Sequence, residues 1–147
     1  MVRASLGELV IICRNAHDGF QAASKHLQVD EVKILLSQFA SHGALFADEL
    51  QAVSRRRTEA AAVSESEPTG AMLHRGWINL DAAAASGSSY EVLAECERGT
   101  ESMLATYKRV LLRDLPDDIR QILETQLTGV QATHECVKAL RDAELEW

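Results

Sequence analysis

Aromatic residues are scarce in this 147-residue chain, at 5%, and only two prolines and eight glycines punctuate it. That leaves few places for a strand-and-turn architecture. No apolar run approaches the roughly 20 residues of a membrane span. Glu8 interrupts the segment after Met1-Val2-Arg3, which argues against a signal peptide. The three cysteines, Cys13, Cys96 and Cys136, are too widely spaced for a disulfide framework or a zinc knuckle. Positive charge is in the minority: the net charge is -7 and the pI is near 5.2. An acidic chain repels nucleic acid and anionic lipid unless its basic residues cluster. The one cluster, Arg55-Arg56-Arg57, falls near the end of a predicted helix, where cations offset the helix dipole. A cytoplasmic protein with no nucleic-acid and no membrane partner is expected.

What the chain does have is alanine and leucine, which lose little side-chain entropy in a helix. Hydrophobic residues make up 46% and charged residues 25%, ordinary for a globular protein. One domain over 1–147 is expected, with helices over 5–27, 31–63, 90–113 and 117–143. In the first, Leu6, Leu9, Cys13, His17, Phe20 and Leu27 recur at the spacing of one helical face. Ser5 and Glu8 read as a capping box at its start. The second, with Asp30 as cap, has the seam Val32, Leu35, Phe39, His42, Phe46, Glu49 and Val53. The third, capped by Ser88 or Ser89, has the seam Tyr90, Leu93, Glu97, Thr100, Leu104, Tyr107 and Leu111. The fourth follows Pro116, a residue suited to a helix start, and buries Ile119, Ile122, Gln126, Val130, Val137 and Leu140.

Short links make each consecutive pair an antiparallel hairpin. The connection over 64–89 is too long for an up-down bundle and carries a predicted shorter helix over 71–85. This is the single-crossover topology of ferritin-like bundles. The expected fold is therefore an all-α, ferritin-like antiparallel four-helix bundle whose second and third long helices run parallel. Trp77 is the natural clamp of the crossover onto the bundle. The competing use of Arg75 and Trp77 is as anchors for a second copy or a protein partner.

Four stretches carry a resemblance. They are Cys13 to Phe20 with its Asp18-Gly19-Phe20 ending, Phe46-Ala47-Asp48-Glu49-Leu50, His74-Arg75-Gly76-Trp77-Ile78-Asn79-Leu80, and Glu95-Cys96-Glu97-Arg98-Gly99 followed by His134 and Leu140-Arg141-Asp142. The chain resembles bacterial ferritin-like four-helix-bundle proteins of an uncharacterised conserved family. That resemblance implies the fold and no activity. Members of that family tend to carry Asp-Gly-Glu-Glu-Gly in the first helix, where this chain has Asn15-Ala16-His17-Asp18-Gly19.

Ferritin-like di-iron proteins use a carboxylate from each of two helices and a Glu-x-x-His pair from each of the other two. This sequence contains no Glu-x-x-His; the nearest match is Gln131-Ala132-Thr133-His134. A di-iron oxidase is not expected, and neither is a redox thiol, although His17 lies one turn from Cys13. A different constellation emerges from hairpin counting, because residues equidistant from a turn lie at one height. The first turn centres near Val29, setting His17 opposite His42, and the second near Leu115, setting Glu97 at the level of Thr133 and His134. His17, His42, Glu97 and His134 then fall within about one helical turn, with Cys13, Glu49 and Glu101 in adjacent layers. Imidazole and carboxylate ligands suit zinc, iron, manganese or copper. Two other readings stay open: a polar core network, in which a histidine bonds Thr100 or Thr133, and placement on the surface. A non-enzymatic stress-related or interaction protein is the first functional expectation. A metal-binding or redox protein using these four residues is the second.

Overall fold

The computed structural model describes residues 2–61, 77 and 80–145. Five helices follow in order: α1 Val2–Ser24, α2 Asp30–Ala61, α3 Leu80–Ala85, α4 Ser89–Leu111 and α5 Asp117–Leu145. No strand occurs among the described residues. The protein is an all-α four-helix bundle with a short helix in its crossover. None of these helices is long and apolar enough to cross a membrane.

The helix starts differ from the expected ones in two places. α1 is already helical from Val2, so Ser5 and Glu8 do not cap it. Ser5 is fully buried and accepts a hydrogen bond from Arg113 Nη1 at 2.7 Å, while Glu8 pairs with Arg109 and Arg113. The basic end of α4 takes both side chains. α2 begins at Asp30, whose neighbour Val29 supplies the first acceptor carbonyl, to the amides of Val32 and Lys33. Asp30 thus sits in the first turn, where its charge favours the helix dipole. α2 also continues to Ala61, so none of the three arginines is in its last turn. Ser88 is the cap of α4: its Oγ accepts from the Glu91 amide at 3.2 Å. Arg120 ties the α4–α5 turn by donating to the carbonyls of Leu111 and Arg113, each at 2.8 Å.

Side-chain pairings give the helix directions. Arg14 reaches Asp48 and Gln51, and His17 reaches Ala40, so α1 and α2 are antiparallel. Glu8 meets Arg109 and Cys13 meets Tyr107, so α1 and α4 are antiparallel. Thr100 meets His134 and Tyr107 meets Gln126, so α4 and α5 are antiparallel. It follows that α2 and α4 run parallel, as the long connection requires.

The core holds Leu6, Leu9 and Phe20 of α1, Leu93 and Tyr107 of α4, and Ile119 and Leu123 of α5. α2 departs from its expected seam. Its fully buried residues are Leu36, Ala40, Ala47 and Leu50, whereas His42 and Glu49 are exposed. The cause is Gly43. A Cβ there would lie 2.8 Å from the Cys13 carbonyl oxygen and 3.2 Å from the His17 amide. The small stripe Ala40-Gly43-Ala47 lets α1 and α2 meet backbone to backbone, and this rotates the larger α2 side chains to either side.

Of the helix expected over 71–85, residues 71–76, 78 and 79, Arg75 among them, lie outside the described residues. Trp77 is buried, 8% exposed. Its indole fills the space between Gly19 of α1 and Gly99 of α4, where a Cβ on either glycine would overlap the ring. Phe20 adds an edge contact at 5.1 Å between centroids. Trp77 Nε1 has no hydrogen-bond partner among the described residues, so shape and apolar burial hold the ring.

Candidate metal centre

Glu97 and Glu101 are one turn apart on α4 and therefore share a face. The antiparallel α5 brings His134 beside them. Among the described residues these three form the group of His, Cys, Asp or Glu side chains whose ligand atoms all lie within 4.8 Å of one another. Glu97 is buried, His134 half-buried and Glu101 exposed, so the site opens to solvent on one side.

A neighbouring hydroxyl orients the histidine. Thr100 Oγ1 donates its hydrogen back to the α4 backbone, to the Glu97 carbonyl at 2.9 Å and more weakly to that of Cys96 at 3.2 Å. Its free lone pair faces His134 Nδ1 at 2.9 Å. With the hydroxyl hydrogen on the backbone, a neutral imidazole that donates Nδ1–H to Thr100 leaves Nε2 with its lone pair. Metal-ligating histidines are oriented in this way, by a hydrogen bond from the nitrogen that does not bind. Glu97 also has a resident partner, the guanidinium of Arg141 on α5.

The other two expected ligands are elsewhere. His17 donates from Nδ1 to the Ala40 carbonyl at 2.9 Å and ties α1 to α2. His42 is exposed, its ring 6.4 Å from that of Phe39. Counting from the turn set the right height, since His17 does lie against Gly43. It missed the face, because one residue along a helix is a rotation of about 100°. Glu101 and Arg141 belong to the site and were not chosen from the sequence. Their signal is the one-turn spacing of Glu97 and Glu101 and, on α5, the two-turn spacing of His134 and Arg141.

A second polar system crosses the bundle nearer its other end. Cys13 of α1 lies 3.2 Å from Tyr107 Oη, which donates to Gln126 Oε1 at 2.6 Å. Gln126 Nε2 donates to Glu49 Oε1 at 2.7 Å. Because the phenol hydrogen goes to Gln126, the thiol hydrogen goes to the phenol. One residue from each long helix takes part. Burial pushes the Cys13 thiol up to about 12, only partly offset by the Tyr107 hydrogen bond. Burial likewise raises Cys96, with Glu95 adding to it, and Tyr107. Reactive thiols carry the opposite shift.

Between the two systems lies a cleft of about 270 Å³, open mouth included, lined mainly by Phe20, Phe39, Phe46, Met103 and Val130, with His42, Thr100 and Thr133. Its enclosed part holds no more than about one water, too little for an organic substrate.

The model of a domain family, the domain of unknown function DUF2383, matches residues 1–113. No curated protein matches the chain. The matched span includes Trp77, Glu97 and Glu101 and stops short of His134 and Arg141.

Proposed function

The chain belongs to the DUF2383 family, a domain of unknown function, and on that premise we propose that it is a ferritin-like, non-enzymatic protein of the bacterial cytoplasm that binds one transition-metal ion through Glu97, Glu101 and His134. The observation that carries this reading is the convergence of the three ligand atoms within 4.8 Å beside a histidine oriented by Thr100. One imidazole and two carboxylates suit zinc, iron or manganese. The site draws on two helices of one hairpin, and no Glu-x-x-His pair supplies a second ion. Storage or sensing of a single ion fits this better than di-iron oxidation. Of the four residues expected from the sequence this reading keeps Glu97 and His134 and adds Glu101.

Elemental analysis of the purified protein, followed by calorimetric titration with zinc, iron(II) and manganese(II), tests the proposal. Binding at one equivalent is expected. Glu97→Gln or His134→Ala is expected to weaken it by at least about tenfold, the size of effect seen when metal-site residues are altered. Bound ion should also raise the melting temperature, by mass action on the native state. Titrations flat for all three metals would reject the metal site and return the stress-related or interaction role as the leading reading.

A further inference from the structure

Glu97 is nearly buried, its side chain 9% exposed, and its carboxylate is held by Arg141, whose side chain is 23% exposed. Arg141 lies seven residues after His134, so both project from the same face of α5, about two turns apart. Glu97 reaches from α4 into the space between them. One carboxylate therefore serves two claimants: the guanidinium on one side and the candidate metal position on the other. A second feature gives the arginine somewhere else to go. Arg141 also donates to Asp142 Oδ1, from Nη2 at 2.8 Å and from Nε at 3.2 Å.

We propose, resting on the metal reading above, that Arg141 is the built-in competitor of the ion: it neutralises Glu97 when no metal is bound and releases it when metal arrives. A buried carboxylate without a counter-charge is strongly disfavoured, so some cation must attend Glu97 in either state. A guanidinium and a divalent cation on the same carboxylate repel each other, so occupancy by one weakens the other. Asp142, half exposed at the side-chain level, keeps the displaced guanidinium paired. Linkage makes the effect reciprocal: metal binding loosens the tie between the last turns of α5 and the first half of α4. The ion's arrival is thereby transmitted to the end of the helix.

The test is zinc titration of the full chain and two variants with opposite expected signs, each checked for helix content and melting temperature. Arg141→Gln removes the competitor and is expected to tighten zinc binding by roughly tenfold or more, the scale of a charge-assisted hydrogen bond. Asp142→Asn removes the alternative partner and is expected to weaken it. In the unaltered chain, zinc is expected to speed amide exchange over the last two turns of α5. Equal zinc affinity in the unaltered chain and Arg141→Gln, with His134→Ala still abolishing binding, would overturn the competitor role and leave the metal site standing. Weaker binding in Arg141→Gln would overturn it too, since Arg141 would then support the site. No zinc bound by either protein would reject the metal site itself, and the competitor with it.

Discussion

The two hairpins of this bundle are built on opposite principles. In α1–α2 the helices meet through Ala40, Gly43 and Ala47, with Gly43 so close to the Cys13 carbonyl that it has no room for a methyl group. In α4–α5 polar and ionic pairs, Thr100 with His134, Glu97 with Arg141 and Tyr107 with Gln126, cross the hairpin beside its apolar core residues. Polar links occur in the first hairpin too, from Arg14 to Asp48 and Gln51 and from His17 to the Ala40 carbonyl, but its closest approach is made where side chains are smallest. A backbone contact as close as the one at Gly43 leaves no room for a site. This is why both ends of the candidate metal centre lie in the second hairpin.

The largest expected effect comes from the residue that joins the two hairpins. Trp77→Ala removes an indole packed on Gly19 and Gly99 and should cost about 3–5 kcal/mol, the usual range for a buried large aromatic. Urea denaturation measures it; an unchanged midpoint would mean that the crossover contributes nothing to the union of the hairpins.

The contrast itself is sharpened by two glycine substitutions. Gly43→Ala forces a methyl group against backbone, which cannot yield, and should cost about 1–3 kcal/mol. Gly129→Ala on α5 meets only the end of the Phe46 ring of α2, at 3.0 Å across the bundle, which can turn aside, and alanine favours the helix by about 1 kcal/mol. Its effect should be near zero or stabilising. Equal losses at the two positions would mean that α1 and α2 approach no more closely than α2 and α5.

Smaller still is the effect of Tyr107→Phe, which leaves Gln126 Oε1 without its donor and should cost about 1–2 kcal/mol. Burial of Cys13 predicts an alkaline dependence as well. An unfolded thiol loses its proton near 9.0, whereas Cys13 in the bundle holds it to about 12. The unfolded state therefore gains as the pH rises from 9.0 toward 12, and the stabilisation present below that window is progressively lost. Urea midpoints should fall over this range, less steeply in Cys13→Ala; identical slopes would contradict the assignment.

Periodicity carried the all-α class and the bundle, because large apolar residues mark the faces of α1, α4 and α5, and the length of the 64–89 connection carried the parallel run of α2 and α4. On α2 periodicity placed Phe39 and Val53 in the core and Val32, Leu35 and Phe46 against it, and missed at His42 and Glu49, beside the small residues that make the closest contact and add little to an apolar pattern. That one-residue error in phase is what set His42 and Glu49 in the core on paper and at the surface in the structure. Hairpin counting reads height well and rotation poorly. It therefore brought Glu97 and His134 to one level, yet could not separate Glu101 from its neighbours or reveal that Arg141 reaches back to Glu97. Long flexible side chains span more than a helical turn, and sequence spacing does not record where they lie.

The seat of Trp77 also bears on how the chain assembles. Each hairpin is local in sequence and can form early, whereas the indole needs one glycine from each. Its pocket does not exist until the halves have met. The emission of Trp77, read in a Trp147→Phe background because the chain has two tryptophans, should shift to the blue only in the final docking phase of refolding. Signals from helix content should come first, which makes this side chain a natural clock for the last event on the folding path.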